Sequence, residues 1–146
     1  VTSWAFNLTW YEKAHANGYD EVLLLDESGY VSECTSANIF AVFGDEVRTP
    51  PLTCGCLPGI TRELLLTEID AAPYTVQEQA LTLNDLEAAD AVFITSTTRD
   101  LLPVSSLQDL TIRHSPAVVG PLLEKFRQYQ VQWVKEHAAQ AAPVAK

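Results

Sequence analysis

Four short apolar runs, each closed by a turn signal, crowd the chain between Glu21 and Thr49. Runs of this length are sized for strands and too brief for helices. Glu21 to Leu25 leads into Asp26-Glu27-Ser28-Gly29, and Tyr30 to Cys34 follows, which predicts a β-hairpin. Asn38 to Phe43 is a third strand, and Gly44-Asp45 turns into a fourth around Val47. Pro50-Pro51 ends the sheet and opens a loop that runs to Pro58-Gly59. A chain that begins this way must build around a sheet.

The flanking segments carry helical spacing. Trp4, Leu8, Tyr11 and His15 predict a helix over roughly the first seventeen residues, ending at Asn17-Gly18. Ile60, Leu64, Leu65 and Ile69 predict a second helix, Ile60 to Ile69, whose start is fixed by Pro58-Gly59. Tyr74 to Glu78 reads as a strand, Leu83 to Ala89 as a short helix opened by Thr82, and Ala91 to Thr95 as a buried strand. Pro103 and Val104 lead into an irregular stretch. Val119, Leu122, Leu123, Phe126, Gln130 and Trp133 mark a long amphipathic helix from near Pro116. The Ala- and Pro-rich tail, Ala138 to Lys146, is expected to fray, leaving one domain over residues 1–137. Strands come first and helices later, which predicts an α+β fold rather than a regular βαβ winding.

Composition narrows the function. At 146 residues with 47% hydrophobic content, the chain can bury a core. Nine Lys and Arg against nineteen Asp and Glu give a net charge of -10, which excludes the basic face that nucleic acid requires. The same balance opposes attraction to an anionic membrane surface, and no apolar run approaches the roughly 20 residues of a membrane span. Cys34, Cys54 and Cys56 are too few and too closely spaced for a zinc site, and read as reduced thiols of a cytoplasmic protein. The chain begins at Val1 and contains no Met, so a fragment of a longer protein is expected.

Three features carry possible chemistry. Leu57-Pro58-Gly59-Ile60-Thr61-Arg62 launches a helix, where free N–H groups, the helix dipole and the Thr61 hydroxyl suit an anion. Gly59 is expected to let a ligand approach the backbone. Thr95-Ser96-Thr97-Thr98 follows a buried strand, and its hydroxyls suit either an anion or the capping of a turn. Glu33, near the end of a hairpin strand, is either a solvent-face carboxylate or a partner for a protonated ring nitrogen or other cation.

Taken together, Glu33-Cys34-Thr35-Ser36-Ala37-Asn38-Ile39-Phe40, Val47-Arg48-Thr49 and Leu57 to Arg62 resemble the signature of the class IV pyridoxal-phosphate aminotransferases. That family includes branched-chain and D-amino-acid aminotransferases and aminodeoxychorismate lyase. The resemblance runs from about Gly18 to Val104, through Asp20 to Asp26 and Ala91 to Thr98. It implies the large C-terminal domain of a fold type IV enzyme, a mixed sheet or pseudo-barrel with flanking helices. It also implies pyridoxal 5'-phosphate as cofactor, amino acid and 2-oxo acid substrates, and a homodimer.

Residue by residue, the resemblance implies that Glu33 pairs with the cofactor's pyridine nitrogen and that Leu57 packs against the ring. The amides of Ile60 and Thr61, with the Thr61 hydroxyl, would hold the phosphate beside Gly59. Thr97 would close its other side, and the backbone at Thr98 would lie near the substrate carboxylate. The family's Schiff-base lysine is expected just before Val1; Lys13, Lys125, Lys135 and Lys146 read as surface lysines. A smaller N-terminal domain that supplies an Arg to the phosphate is expected outside the chain, so that the chain alone would not catalyse and would self-associate. Trp4 stands near where several relatives carry a Tyr, which departs from the family pattern. Arg99 is expected to pair with Asp100 at the surface, with reading of a substrate acid group as the alternative. Transamination is the leading function, aminodeoxychorismate lyase chemistry the rival, and a non-catalytic binding or assembly role the reading from another class.

Overall fold

The computed structural model describes residues 4–138, with side chains from residue 8 onward. The expected frayed tail beyond residue 138, with Lys146, lies outside the described residues, as does the side chain of Trp4. The expected α+β organisation is what the chain adopts, in the order α1 (Trp4–Ala16), β1 (Leu23–Leu25), β2 (Val31–Cys34), β3 (Asn38–Phe43), β4 (Glu46–Thr49). There follow α2 (Ile60–Thr67), β5 (Thr75–Glu78), α3 (Leu83–Ala88), β6 (Ala91–Ser96), β7 (Asp100–Pro103) and α4 (Pro116–His137), with a short 3₁₀ turn at Leu52–Cys54.

The main sheet has five strands in the order β5-β4-β3-β6-β7. It is mixed, because β4 and β5 run parallel while the other pairs are antiparallel. Its two faces can be read off the alternation of β3 and β6. Phe40, Val42, Ala91 and Phe93 face α2 and α4, where Leu65, Val119, Leu122 and Phe126 complete one core. Phe40 and Phe93 stack at 4.9 Å between ring centroids. Ile39, Ala41, Val92 and Ile94 face the other way and pack with Val31, Cys34, Leu81 and Leu86 of the hairpin and α3.

The β1–β2 hairpin turns where Asp26 Oδ1 accepts from the N–H groups of Ser28 and Tyr30, each at 2.9 Å, and Gly29 takes φ +87°. A hydrogen bond from Val31 N to Leu81 O, 2.8 Å, ties β2 to the segment before α3. That helix opens with a capping box between Thr82 and Asp85. Among the described residues, no helix is long and apolar enough to cross a membrane.

The structure departs from the sequence reading in several places. β1 starts only at Leu23, although Val22 O still accepts from Thr35 N at 3.0 Å; the Glu21 carboxylate gathers Ser36 and Arg99. The sequence reading gave no element to residues 100–103, which form strand β7, an edge strand whose last residue is Pro103, a position where a missing N–H costs no ladder bond. The stretch over residues 104–115 is irregular as expected, with one isolated bridge between Leu107 and Leu110. Helix α2 stops at Thr67 rather than Ile69. Helix α1 forms as expected, but none of its described side chains is buried; Leu8 and Trp10 are exposed. In α4, Val119, Leu122 and Phe126 are buried while Trp133 is half exposed, so the apolar stripe serves the core only over the first turns.

Candidate functional site

β2, the loop after it, the start of α2 and the end of β6 converge on one cleft of about 320 Å³. Glu33, Leu57, Gly59, Ile60, Thr61 and Thr97 all line it, so the six residues picked out from the sequence as cofactor ligands come together. Thr98 sits exposed in the β6–β7 turn beside the cleft rather than among its lining residues.

Glu33 is half-buried, with its Oε1 accepting from the N–H of Leu57 at 3.0 Å. No hydrogen bond reaches its Oε2 among the described residues. Burial pushes its carboxyl above the usual range, and the Leu57 N–H offsets this only in part. A carboxylate in that state is poised to gain from a cation placed against it.

The start of α2 lines the same cleft. Gly59 is the N-cap residue and no side chain caps the helix. The first-turn amides of Ile60 and Thr61 therefore have no acceptor within the helix. Thr61 is buried, whereas Leu57 and Ile60 are 63% and 68% exposed and flank the mouth. Ile60 thus drops out of the expected apolar stripe of α2 and faces the cleft instead of the core.

The structure gives Gly59 a further reason, within the fold itself. Its φ is -58°, open to any residue, but a Cβ there would stand 2.3 Å from Asn38 Oδ1. Asn38 is buried, and its Nδ2 donates to Leu57 O at 2.9 Å. That close approach is Asn38's, which clamps the Leu57–Gly59 loop.

Asn38 and Arg62 both stand inside the motif, yet sequence reasoning gave neither a task. Arg62 is fully buried; its Nη2 donates to Pro50 O at 3.1 Å and to Glu78 Oε1 at 2.8 Å, and its Nη1 pairs with Glu63. It pins both ends of the loop that carries Leu57. Thr95 is 1% exposed, lines the same cleft, and its Oγ1 has no hydrogen-bond partner among the described residues.

Arg99 does not pair with Asp100. Its Nη1 donates to Glu21 Oε2 and its Nη2 to Ser36 Oγ, each at 2.9 Å, fastening the β6–β7 turn to the loop after β2. Burial opposes ionisation of Glu21, but hydrogen bonds from Ser36, Thr35 and Arg99 outweigh it and hold the carboxyl below its usual range. Asp100 supplies backbone geometry instead, closing the turn at φ 50°.

The other titratable groups do not compete for the role. The three cysteines are free and buried, and burial raises each thiol above its ordinary value. Among the described residues no cluster of His, Cys, Asp and Glu is arranged to hold a metal ion. Lys13 lies over the Trp10 ring at 4.8 Å, and neither it nor Lys125 or Lys135 lines the cleft.

Comparison with known proteins places this cleft in context. Residues 1–107 match the model of the family described as amino-transferase class IV. A protein of Methanocaldococcus jannaschii, provisionally named a branched-chain-amino-acid aminotransferase, is 36% identical over 83% of this chain and 43% of its own length. A solved structure of a branched-chain amino acid aminotransferase from T.th., complexed with N-(5'-phosphopyridoxyl)-L-glutamate, superposes with TM-score 0.74. It is 30% identical, over 86% of this chain and 43% of that one. A Legionella pneumophila protein, provisionally named a 4-amino-4-deoxychorismate lyase, superposes with TM-score 0.79 at 30% identity, over 87% of this chain and 47% of that one. The chain therefore spans less than half the length of these relatives. With the signature residues gathered on one cleft and the match covering most of its length, the chain belongs to the class IV aminotransferase family.

Proposed function

We propose that the cleft holds pyridoxal 5'-phosphate and that the protein carrying this chain transfers an amino group between an amino acid and a 2-oxo acid. The observation that carries this reading is one cleft lined together by a half-buried carboxylate, Glu33, the uncapped start of α2 and the hydroxyls of Thr61 and Thr97. The donor set fits the group: amides and hydroxyls for a phosphate, a carboxylate for a protonated ring nitrogen, and Leu57 for an apolar ring face.

When bound, the cofactor supplies a ring that takes up the electron pair left at the substrate α-carbon. The chain's own residues set the conditions for this. Glu33, anchored through Oε1 by the Leu57 N–H, would pair with the protonated ring nitrogen. Half-burial strengthens that pairing, because the charges are poorly screened. Ile60 and Thr61, with Thr97, would hold the phosphate, and Leu57 would pack against the ring. Arg99 and Glu21 hold the β6–β7 turn so that the Thr98 backbone faces the substrate carboxylate. The exposed Leu57 and Ile60 suit covering by another part of the same protein or by a second copy.

The test is a half-reaction. The polypeptide carrying this chain and its cofactor lysine, loaded with cofactor, is mixed with an amino acid and followed for release of the 2-oxo acid. A branched-chain donor giving its 2-oxo acid, with reversal on adding 2-oxoglutarate, supports transamination. Pyruvate from aminodeoxychorismate, with no such reversal, supports the lyase rival that the Legionella superposition favours. Neither product, with cofactor still bound, supports the non-catalytic role.

A further inference from the structure

We propose that the Thr95 hydroxyl is an additional ligand for the phosphate-class anion at the start of α2, an assignment that rests on the cofactor reading above. The β3–β6 register sets Thr95 opposite Asn38, so both project from the same face of the sheet. At that level the face looks onto the Leu57–Gly59 loop, because Asn38 Nδ2 donates to Leu57 O and its Oδ1 lies against Gly59. Further along the face come Phe40 and Phe93 and the core beneath α2 and α4. Thr95 thus sits at the boundary where the apolar core ends and the cleft under the first turn of α2 begins.

Its chemistry has no use within the fold. Thr95 is 1% exposed and ends an otherwise apolar run, Ala91-Val92-Phe93-Ile94. A valine would fill the same space with the same strand preference. Instead the hydroxyl is buried and Oγ1 finds no partner among the described residues, a costly arrangement unless a ligand oxygen accepts from it. Thr61 and Thr97 line the same cleft. Three hydroxyls and the α2 amides then form a donor set matched to a tetrahedral oxyanion, and Thr95 supplies its floor.

The experiment measures equilibrium binding of pyridoxamine 5'-phosphate, pyridoxamine and inorganic phosphate to the wild-type protein, Thr95→Val and Thr95→Ser. The amine form of the cofactor avoids adducts with surface lysines. Thr95→Val is expected to weaken pyridoxamine 5'-phosphate roughly 10-fold, the loss of one hydrogen bond to a charged acceptor. Thr95→Ser is expected to stay within about 2-fold of wild type, and pyridoxamine to bind all three alike, since it lacks the phosphate. Thermal melts of Thr95→Val should match or exceed wild type, which separates a ligand role from a folding role. Unchanged phosphate-ester affinity in Thr95→Val overturns the assignment, as does an equal loss for pyridoxamine. If inorganic phosphate binds the wild type as tightly as the ester and falls in Thr95→Val, Thr95 stands as an anion ligand and the cofactor reading fails. If the wild type binds neither phosphate species, both fail.

Discussion

Glu33 and Glu21 flank the same loop, yet their carboxyls shift in opposite directions, and the difference separates a structural carboxylate from a chemical one. Burial works against both. Ser36, Thr35 and Arg99 more than compensate at Glu21, so it is held ionised. Glu33 receives only the Leu57 N–H and is left raised. A raised folded-state carboxyl contributes stability below its ordinary pKa and loses it as pH rises through the folded value. Glu33→Gln, neutral at every pH, should therefore melt at or above the wild type at neutral pH, with the gap closing as pH falls through the ordinary carboxylate range. The same variant should lose activity far more than cofactor affinity; equal losses would remove Glu33 from the ring nitrogen. Gly59→Ala tests the loop clamp. Its Cβ would collide with the tethered Asn38 amide, so a cost of about 1–3 kcal/mol is expected in denaturant unfolding. A neutral effect would mean that Asn38 is free to move.

Helix α2 joins the two halves of the account, because its first turn faces the cleft while Arg62 and Leu65 anchor it inside. Arg62→Met would remove a buried guanidinium whose carboxylate partners, Glu63 and Glu78, are both partly exposed and can regain water. The cost should then fall to about 2–3 kcal/mol, below that of stranding a buried charge. Pro50 O would lose its guanidinium donor and keep only the weaker Cys56 thiol, so hydrogen exchange should speed up over residues 51–59 while β3 and β6 stay protected. Unchanged protection in that loop would show that Arg62 does not order it. Most of these elements were legible because local signals and tertiary packing agree: the Asp26–Gly29 turn, the Thr82 cap, the apolar β3 and β6. Strand β7 was not, because its Thr-Thr-Arg-Asp approach looks polar and its Pro103 looks like a terminator. Only the ladder with β6 and its edge position make it a strand. The Arg99–Glu21 pair was equally hidden, since 78 positions separate the partners and Asp100 stands next to Arg99.

At the scale of the molecule, the five-stranded sheet divides the labour between its faces. One face builds a core with α2 and α4 and ends at Asn38 and Thr95; the other packs the hairpin and α3 and so sets β2 with Glu33 beside the cleft. The motif marked which residues belong together, but their convergence depends on β3, β6 and α2 meeting at one sheet end, which no local spacing specifies. The net charge of -10 on this chain would repel an anionic cofactor at long range, so the chain's own share of the site acts through short-range amides and hydroxyls. The most direct measurement is a ¹⁵N spectrum of the protein titrated with pyridoxamine 5'-phosphate. Saturable shifts are expected at the amides of Leu57, Ile60, Thr61 and Thr97, with residues from 127 onward in α4 unmoved. Saturation without movement of Ile60 and Thr61, or shifts centred elsewhere, would contradict the cofactor reading.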